Sequence, residues 1–156
     1  MAGLSRPMDQ HEKKISRSIN LNIIGTSNLV IACSEMKVKI IYISTSYVYP
    51  NKGSSFRETD SVLPWNNYGW SKLGAECAVQ MYKNSLILRV CMTEKPFVHK
   101  RAFTNMYTNF IYHEDFVKIF KIFDTVGKGI PDAAASSAAV STSPLFFASC
   151  PNMTTA

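Results

Sequence analysis

The chain has 156 residues, enough for one domain with a buried core. Its 46% hydrophobic against 18% charged content excludes a disordered chain. Its net charge of +6 sits on scattered Lys and Arg, without any helix-turn-helix, zinc-finger or RNA-binding pattern, so a solvated surface is expected rather than a nucleic-acid partner. No apolar run approaches the roughly 20 residues of a membrane span. The start, Met1 to Asp9, has no apolar signal segment, so the expected location is the cytoplasm, with four reduced cysteines.

Residues 1–12 lack any period and read as a flexible leader. From about Lys13 to Met36 a helical pattern runs, with Ile15, Ile19, Ile23, Leu29, Val30, Cys33 and Met36 recurring at three- and four-residue steps. Gly25-Thr26-Ser27 in its middle would allow a close approach to a neighbour. Val38 to Ser44 is β-branched and apolar, as in a buried strand of a parallel sheet. Pro50 to Pro64 reads as a loop. A second helix starts near Asn66-Asn67, a good N-cap, and runs to Tyr82 with Leu73, Cys77 and Met81 as its apolar stripe.

Ser85 to Cys91 is the next strand. Thr93 to Thr108 is irregular and basic, Asn109 to Tyr112 a short strand, and Glu114 to Phe123 an amphipathic helix with a core-facing aromatic stripe. Residues 127–156, rich in Ala, Ser, Thr and Pro, read as a disordered low-complexity tail. Helix, strand, helix, strand, then short strand and helix predicts an α/β fold, a partial Rossmann-like parallel sheet with flanking helices spanning 13–126.

The chemistry concentrates in residues 41–76. Thr45, after Ser44, sits where the first strand ends, and ligands of open α/β sheets bind at the carboxyl ends of strands. Tyr68 and Lys72, four apart on a helix, share a face. Tyr68 can then act as general acid/base toward a carbonyl or hydroxyl while a nicotinamide exchanges a hydride. A free tyrosine, with a pKa of about 10, needs lowering by about 3–4 kcal/mol, for which the Lys72 ammonium is a source. Thr45 would fix the substrate oxygen. Asn22, in the preceding helix, could orient water or backbone beneath Lys72.

The spacing alone is equally compatible with a surface Tyr–Lys pair, a β-forming Thr and a solvent-facing Asn. Arg89, alone in an apolar strand, is a paired structural Arg or a phosphate contact. His113-Glu114-Asp115 reads as a helix cap rather than a metal site, and no metal is expected.

These stretches together resemble the extended short-chain dehydrogenase/reductases acting on nucleotide sugars, above all the dTDP-4-dehydrorhamnose reductase branch and its epimerase relatives. Asn22 to Leu29 is similar to that family's N-x-x-G-T-x-N-L helix, and Ile43 to Tyr49 to its I-S-T-D-Y-V-F strand end, with Ser46 where Asp is usual. Glu58-Thr59-Asp60, Pro64 and Asn67 to Glu76 resemble E-x-D…P-x-N-x-Y-G-x-S-K-x-x-x-E. Leu88-Arg89-Val90 and Phe110 to Asp115 resemble its L-R and F-I-H-x-x-D elements. The resemblance implies a catalytic triad of Thr45, Tyr68 and Lys72. It implies NAD or NADP against Asn22, Ile43, Ser44, Tyr68, Lys72 and Val90, and a nucleotide-sugar substrate.

The family's G-x-x-G-x-x-G turn holds the cofactor pyrophosphate at a helix N-terminus. The seven glycines here, at 3, 25, 53, 69, 74, 127 and 129, do not fit that spacing. The expectation is therefore the later part of such an enzyme, binding cofactor weakly if at all. The rival expectation is a catalytically inactive fragment or regulatory module. An open sheet edge would favour a homo-oligomer or association with a full-length homologue.

Overall fold

A computed structural model describes residues 7–51, 56–96 and 110–127, with side chains through 121 in the last stretch. Helices α1 (Asp9–Lys13) and α2 (Ile15–Ser18) are separated by Lys14, whose φ of −133° and ψ of 65° break the helical run. A π-helical segment (Ile19–Ile24) joins α2 to α3 (Gly25–Met36). The stretch expected to be a leader is thus helical from Asp9 onward, and His11 within it is buried.

The single helix expected over 13–36 is in fact two α-helices joined by a wider turn. Its inward face is Ser18, Asn22, Thr26 and Val30, four residues apart. The predicted apolar row is largely outside: Ile15, Ile19, Leu29 and Met36 are exposed. The inversion has a physical reason. Ser18 and Asn22 bond to side chains of α1 and the later helix, which removes the penalty for burying them.

Strands β1 (Ile40–Thr45) and β2 (Ser85–Val90) pair in parallel, Ile40 opposite Ser85 through Thr45 opposite Val90. Their boundaries fall within two residues of the predicted ones. Helix α4 (Asn67–Gln80) crosses between them and lies against both, as a parallel pair requires. Asn66 caps it, its Oδ1 accepting from Gly69 N at 2.7 Å.

The predicted Leu73–Cys77–Met81 stripe is not the buried face of α4: Cys77 and Met81 are exposed, and Gly69, Ser71, Ala75, Glu76 and Val79 face inward. Small residues win there because the helix comes close to its neighbours. A Cβ on Gly69 would run into the Tyr47 carbonyl and the Pro64 side chain, and one on Gly74 would lie 2.8 Å from Ile23 Cδ1. The core is Val30, Ile40, Tyr42, Ala75 and Val79, with Cys33, Ala78, Tyr82 and Ile87 packed on it.

A second parallel pair, β3 (Met92–Thr93) and β4 (Ile111–Tyr112), carries α5 (His113–Gly127), whose Phe116 is buried. Thr93 therefore begins in a strand, not in the irregular stretch expected there. The chain is α/β, with a partial Rossmann-like parallel sheet and flanking helices. The expected tail beyond 127 lies outside the described residues. Among the described residues no helix is long and apolar enough to cross a membrane.

Candidate active site

The carboxyl ends of β1 and β2 lie side by side, so Thr45 and Val90 are direct neighbours in the register. A 3-10 turn, Ser46–Val48, follows β1, and Tyr47 N donates to Thr45 Oγ1 at 3.3 Å. Thr45, Ser44 and Val90 are buried, and Ile43 is half-buried.

Helix α4 delivers Tyr68 in its first turn and Lys72 one turn later, both half-buried. Lys72 Nζ donates to the Ile43 carbonyl at 2.7 Å and lies 4.2 Å over the Tyr42 ring. This contact fastens the Tyr68–Lys72 face of α4 to the end of β1. Burial holds the Lys72 amine down at about 8, opposed by the nearby Glu76 carboxylate. Near neutral pH the amine is still mostly an ammonium. Burial first, then the charges of Glu76 and Tyr68, pushes the Tyr42 phenol upward.

Tyr68 is packed among rings. Tyr47 meets it edge-on with centroids 5.7 Å apart, and His11 lies at 5.0 Å, tilted by 58°. Trp65 stacks on Tyr47 at 5.5 Å. Tyr47 thus touches both Thr45, through its backbone, and Tyr68, through its ring.

Asn22 is 2% exposed, which rules out a solvent-facing role. Its Nδ2 donates to Ser71 Oγ at 2.8 Å, and Ser71 Oγ donates to the Tyr68 carbonyl at 2.8 Å. The expectation is that it orients water or backbone beneath Lys72, and the structure gives it a bond to the serine beside Lys72. Through that serine it reaches the backbone of Tyr68.

Arg89 resolves to the structural alternative. It pairs with buried Glu76, Nη2 to Oε2 at 2.8 Å, and donates from Nη1 to Tyr49 Oη at 2.9 Å. That network raises the Arg89 guanidinium further against the opposing effect of burial, and burial raises Tyr49. His113 to Asp115 form the first turn of α5, where Asp115 pairs with Lys118 at 2.8 Å.

Sequence reasoning missed His11, Glu12, Ser18 and Ser71. Glu12 accepts from Asn67 N at 3.0 Å and Asn67 Nδ2 at 2.6 Å, tying α1 to the start of α4. No periodic signal leads to His11, because the break at Lys14 separates it from the pattern that follows. Ser71 lies inside the motif, but only the contact with Asn22 gives it a role.

Comparisons with known proteins point to one family. A family model described as the RmlD substrate binding domain matches residues 2–121. The dTDP-4-dehydrorhamnose reductase of Mycolicibacterium smegmatis is 34% identical over 74 residues, 46% of this chain and 23% of that protein. Methionine adenosyltransferase 2 subunit beta of Xenopus laevis is 34% identical over 71 residues, 45% of this chain and 21% of that protein. The crystal structure of dTDP-4-dehydrorhamnose reductase from Bacillus anthracis in complex with NADP superposes with a TM-score of 0.55 at 30% identity, covering 60% of this chain and 35% of that one. The chain thus spans between about a fifth and about a third of the length of these proteins.

Proposed function

The chain belongs to the RmlD substrate binding domain family, and from that premise we propose that it carries the acid/base half of a nucleotide-sugar reductase or epimerase site of the dTDP-4-dehydrorhamnose reductase type. The observation that carries this reading is the 2.7 Å bond from Lys72 Nζ to the Ile43 carbonyl. It ties the helix face that carries both the cation and the phenol to the strand that ends at Thr45.

Tyr68 Oη gives its proton to the carbonyl oxygen of a keto sugar, which becomes a hydroxyl. In the reverse direction the phenolate takes that proton back. The Lys72 ammonium lowers the cost of the phenolate, and Thr45 holds the substrate oxygen in line. A bound nicotinamide would supply or accept the hydride.

The donor set fits the riboside end of such a cofactor. An ammonium has three N–H donors and the Ile43 carbonyl takes one, leaving two for ribose hydroxyls. Ile43, Ser44 and Val90 would line this end, with Asn22 supporting it through Ser71. The pyrophosphate end is different, since the glycines of this sequence do not form the turn that would cradle it. The proposal is therefore an incomplete cofactor site, with NAD or NADP bound weakly.

Thermal melting with millimolar NADPH or NADH tests the reading. A rise in Tm that disappears in Lys72→Met supports it, and no rise with either nucleotide contradicts it.

A second reading is favoured by one observation, the likeness to a protein named as a subunit of another enzyme. In that reading the chain is a catalytically inactive module that associates with a full-length homologue or with itself. The exposed Ile15, Ile19, Ile24 and Ile31 supply an apolar surface for it.

A further inference from the structure

Burying an imidazole calls for a hydrogen-bond partner, and His11 has no solvent exposure. Its Nδ1 lies 2.8 Å from Ser18 Oγ, which fixes the ring plane. That ring packs on Tyr68 with centroids 5.0 Å apart, while Tyr47 meets the same phenol edge-on at 5.7 Å.

The backbone around His11 is bound to the residue preceding Tyr68. Asn67 donates through N and Nδ2 to the Glu12 carboxylate, and through Nδ2 to the His11 carbonyl at 3.4 Å. A carboxylate at the start of α4 is also favoured by the helix dipole. One short helix therefore holds both the first turn that carries Tyr68 and one side of its ring. The proton transfer described above makes no use of His11.

We propose that His11 is a positioning residue for Tyr68. Its imidazole, oriented by Ser18, acts with Tyr47 to restrict the phenol to one rotamer, so that Oη stays where a substrate oxygen would meet it. A half-buried tyrosine without such walls samples several staggered rotamers. The functional consequence rests on Tyr68 being the acid/base group, whereas the restriction of its ring does not.

The test labels the tyrosines of the full chain with carbon-13 at Cζ. The Tyr68 resonance is assigned by its loss in Tyr68→Phe. Ser18→Ala and His11→Ala, shown to be folded by circular dichroism, are expected to shift or broaden that resonance, and His11→Phe to restore most of it. In the same variants, turnover by His11→Ala is expected to fall about 10–100-fold, with KM changed less than about twofold. Should His11→Ala fail to fold, Ser18→Ala, which leaves no comparable void, carries the test. An unmoved Tyr68 resonance in folded Ser18→Ala and His11→Ala overturns the proposal. A native chain that transfers no hydride overturns the acid/base reading instead, and the resonance still reports on the contact.

Discussion

Lys72 is buried in a way that stability alone would not select. Its amine is held at about 8 against an ordinary 10.5, a difference of about 3 kcal/mol. Between those two pH values the unfolded chain binds a proton that the folded chain has released, so native stability rises as pH rises through the window. Above pH 10 the raised Tyr42 phenol works the other way, because the unfolded chain then loses a proton that the folded chain keeps. The informative range is therefore about pH 7.5–9.5. Urea unfolding across it is expected to show stability climbing in the native protein and flat in Lys72→Met, with the variant no less stable at pH 7. A variant destabilised at pH 7 by more than about 1 kcal/mol would mark Lys72 as a structural residue. Tyr68→Phe, by contrast, is expected to leave Tm within a few degrees and remove turnover, since it deletes only the phenol oxygen.

At the scale of elements, α4 and its contacts decide whether the site exists. Glu76 is 2% exposed and depends on Arg89, so Glu76→Ala leaves a guanidinium that is only 17% exposed without its carboxylate. The expected loss is about 3–5 kcal/mol in urea unfolding. Replacing both partners by Leu and Met is expected to recover most of that, which a double-mutant cycle would measure. Gly69→Ala sets a methyl group against the Tyr47 carbonyl and is expected to displace the first turn of α4, lowering turnover more than its stability cost explains. Lys37, at the end of α3, has φ of 58° and accepts a strain that glycine avoids. Lys37→Gly is expected to gain up to about 1 kcal/mol in thermal unfolding.

The same scale explains what was legible in the sequence. β1, β2 and α4 were readable because β-branched runs and an Asn cap have strong local signatures. Thr45, Tyr68 and Lys72 could be placed because they sit in those elements. The inward faces of α2, the π-helical segment, α3 and α4 were not. They are lined by Ser18, Asn22, Thr26, Ser71 and Glu76, and Asn22, Ser71 and Glu76 bond to partners 13 or more residues away in sequence. A reading that equates apolar with buried places those helices the wrong way round, and it treats α1 as a leader because residues 1–12 show no apolar period.

At the scale of the whole molecule, several large apolar side chains among the described residues are exposed. Ile15, Ile19, Ile24 and Ile31 are each more than 40% exposed. Exposed isoleucines within so short a helical stretch are candidates for an association site. Sedimentation velocity at micromolar concentration is expected to show self-association, and Ile19→Asp with Ile31→Asp to shift the chain to monomer.

The central claim, that Tyr68 exchanges a proton with a sugar oxygen while hydride is transferred beside it, is tested most directly by a single-turnover experiment. The full chain at high concentration is mixed with NADPH carrying deuterium at the nicotinamide C4 and with dTDP-4-dehydrorhamnose, and the sugar nucleotide is weighed by mass spectrometry. Deuterium in the product of the native chain, and none from an equally folded Tyr68→Phe, is the expected result. Absence of label with the native chain at millimolar cofactor, or equal label with the variant, would contradict it.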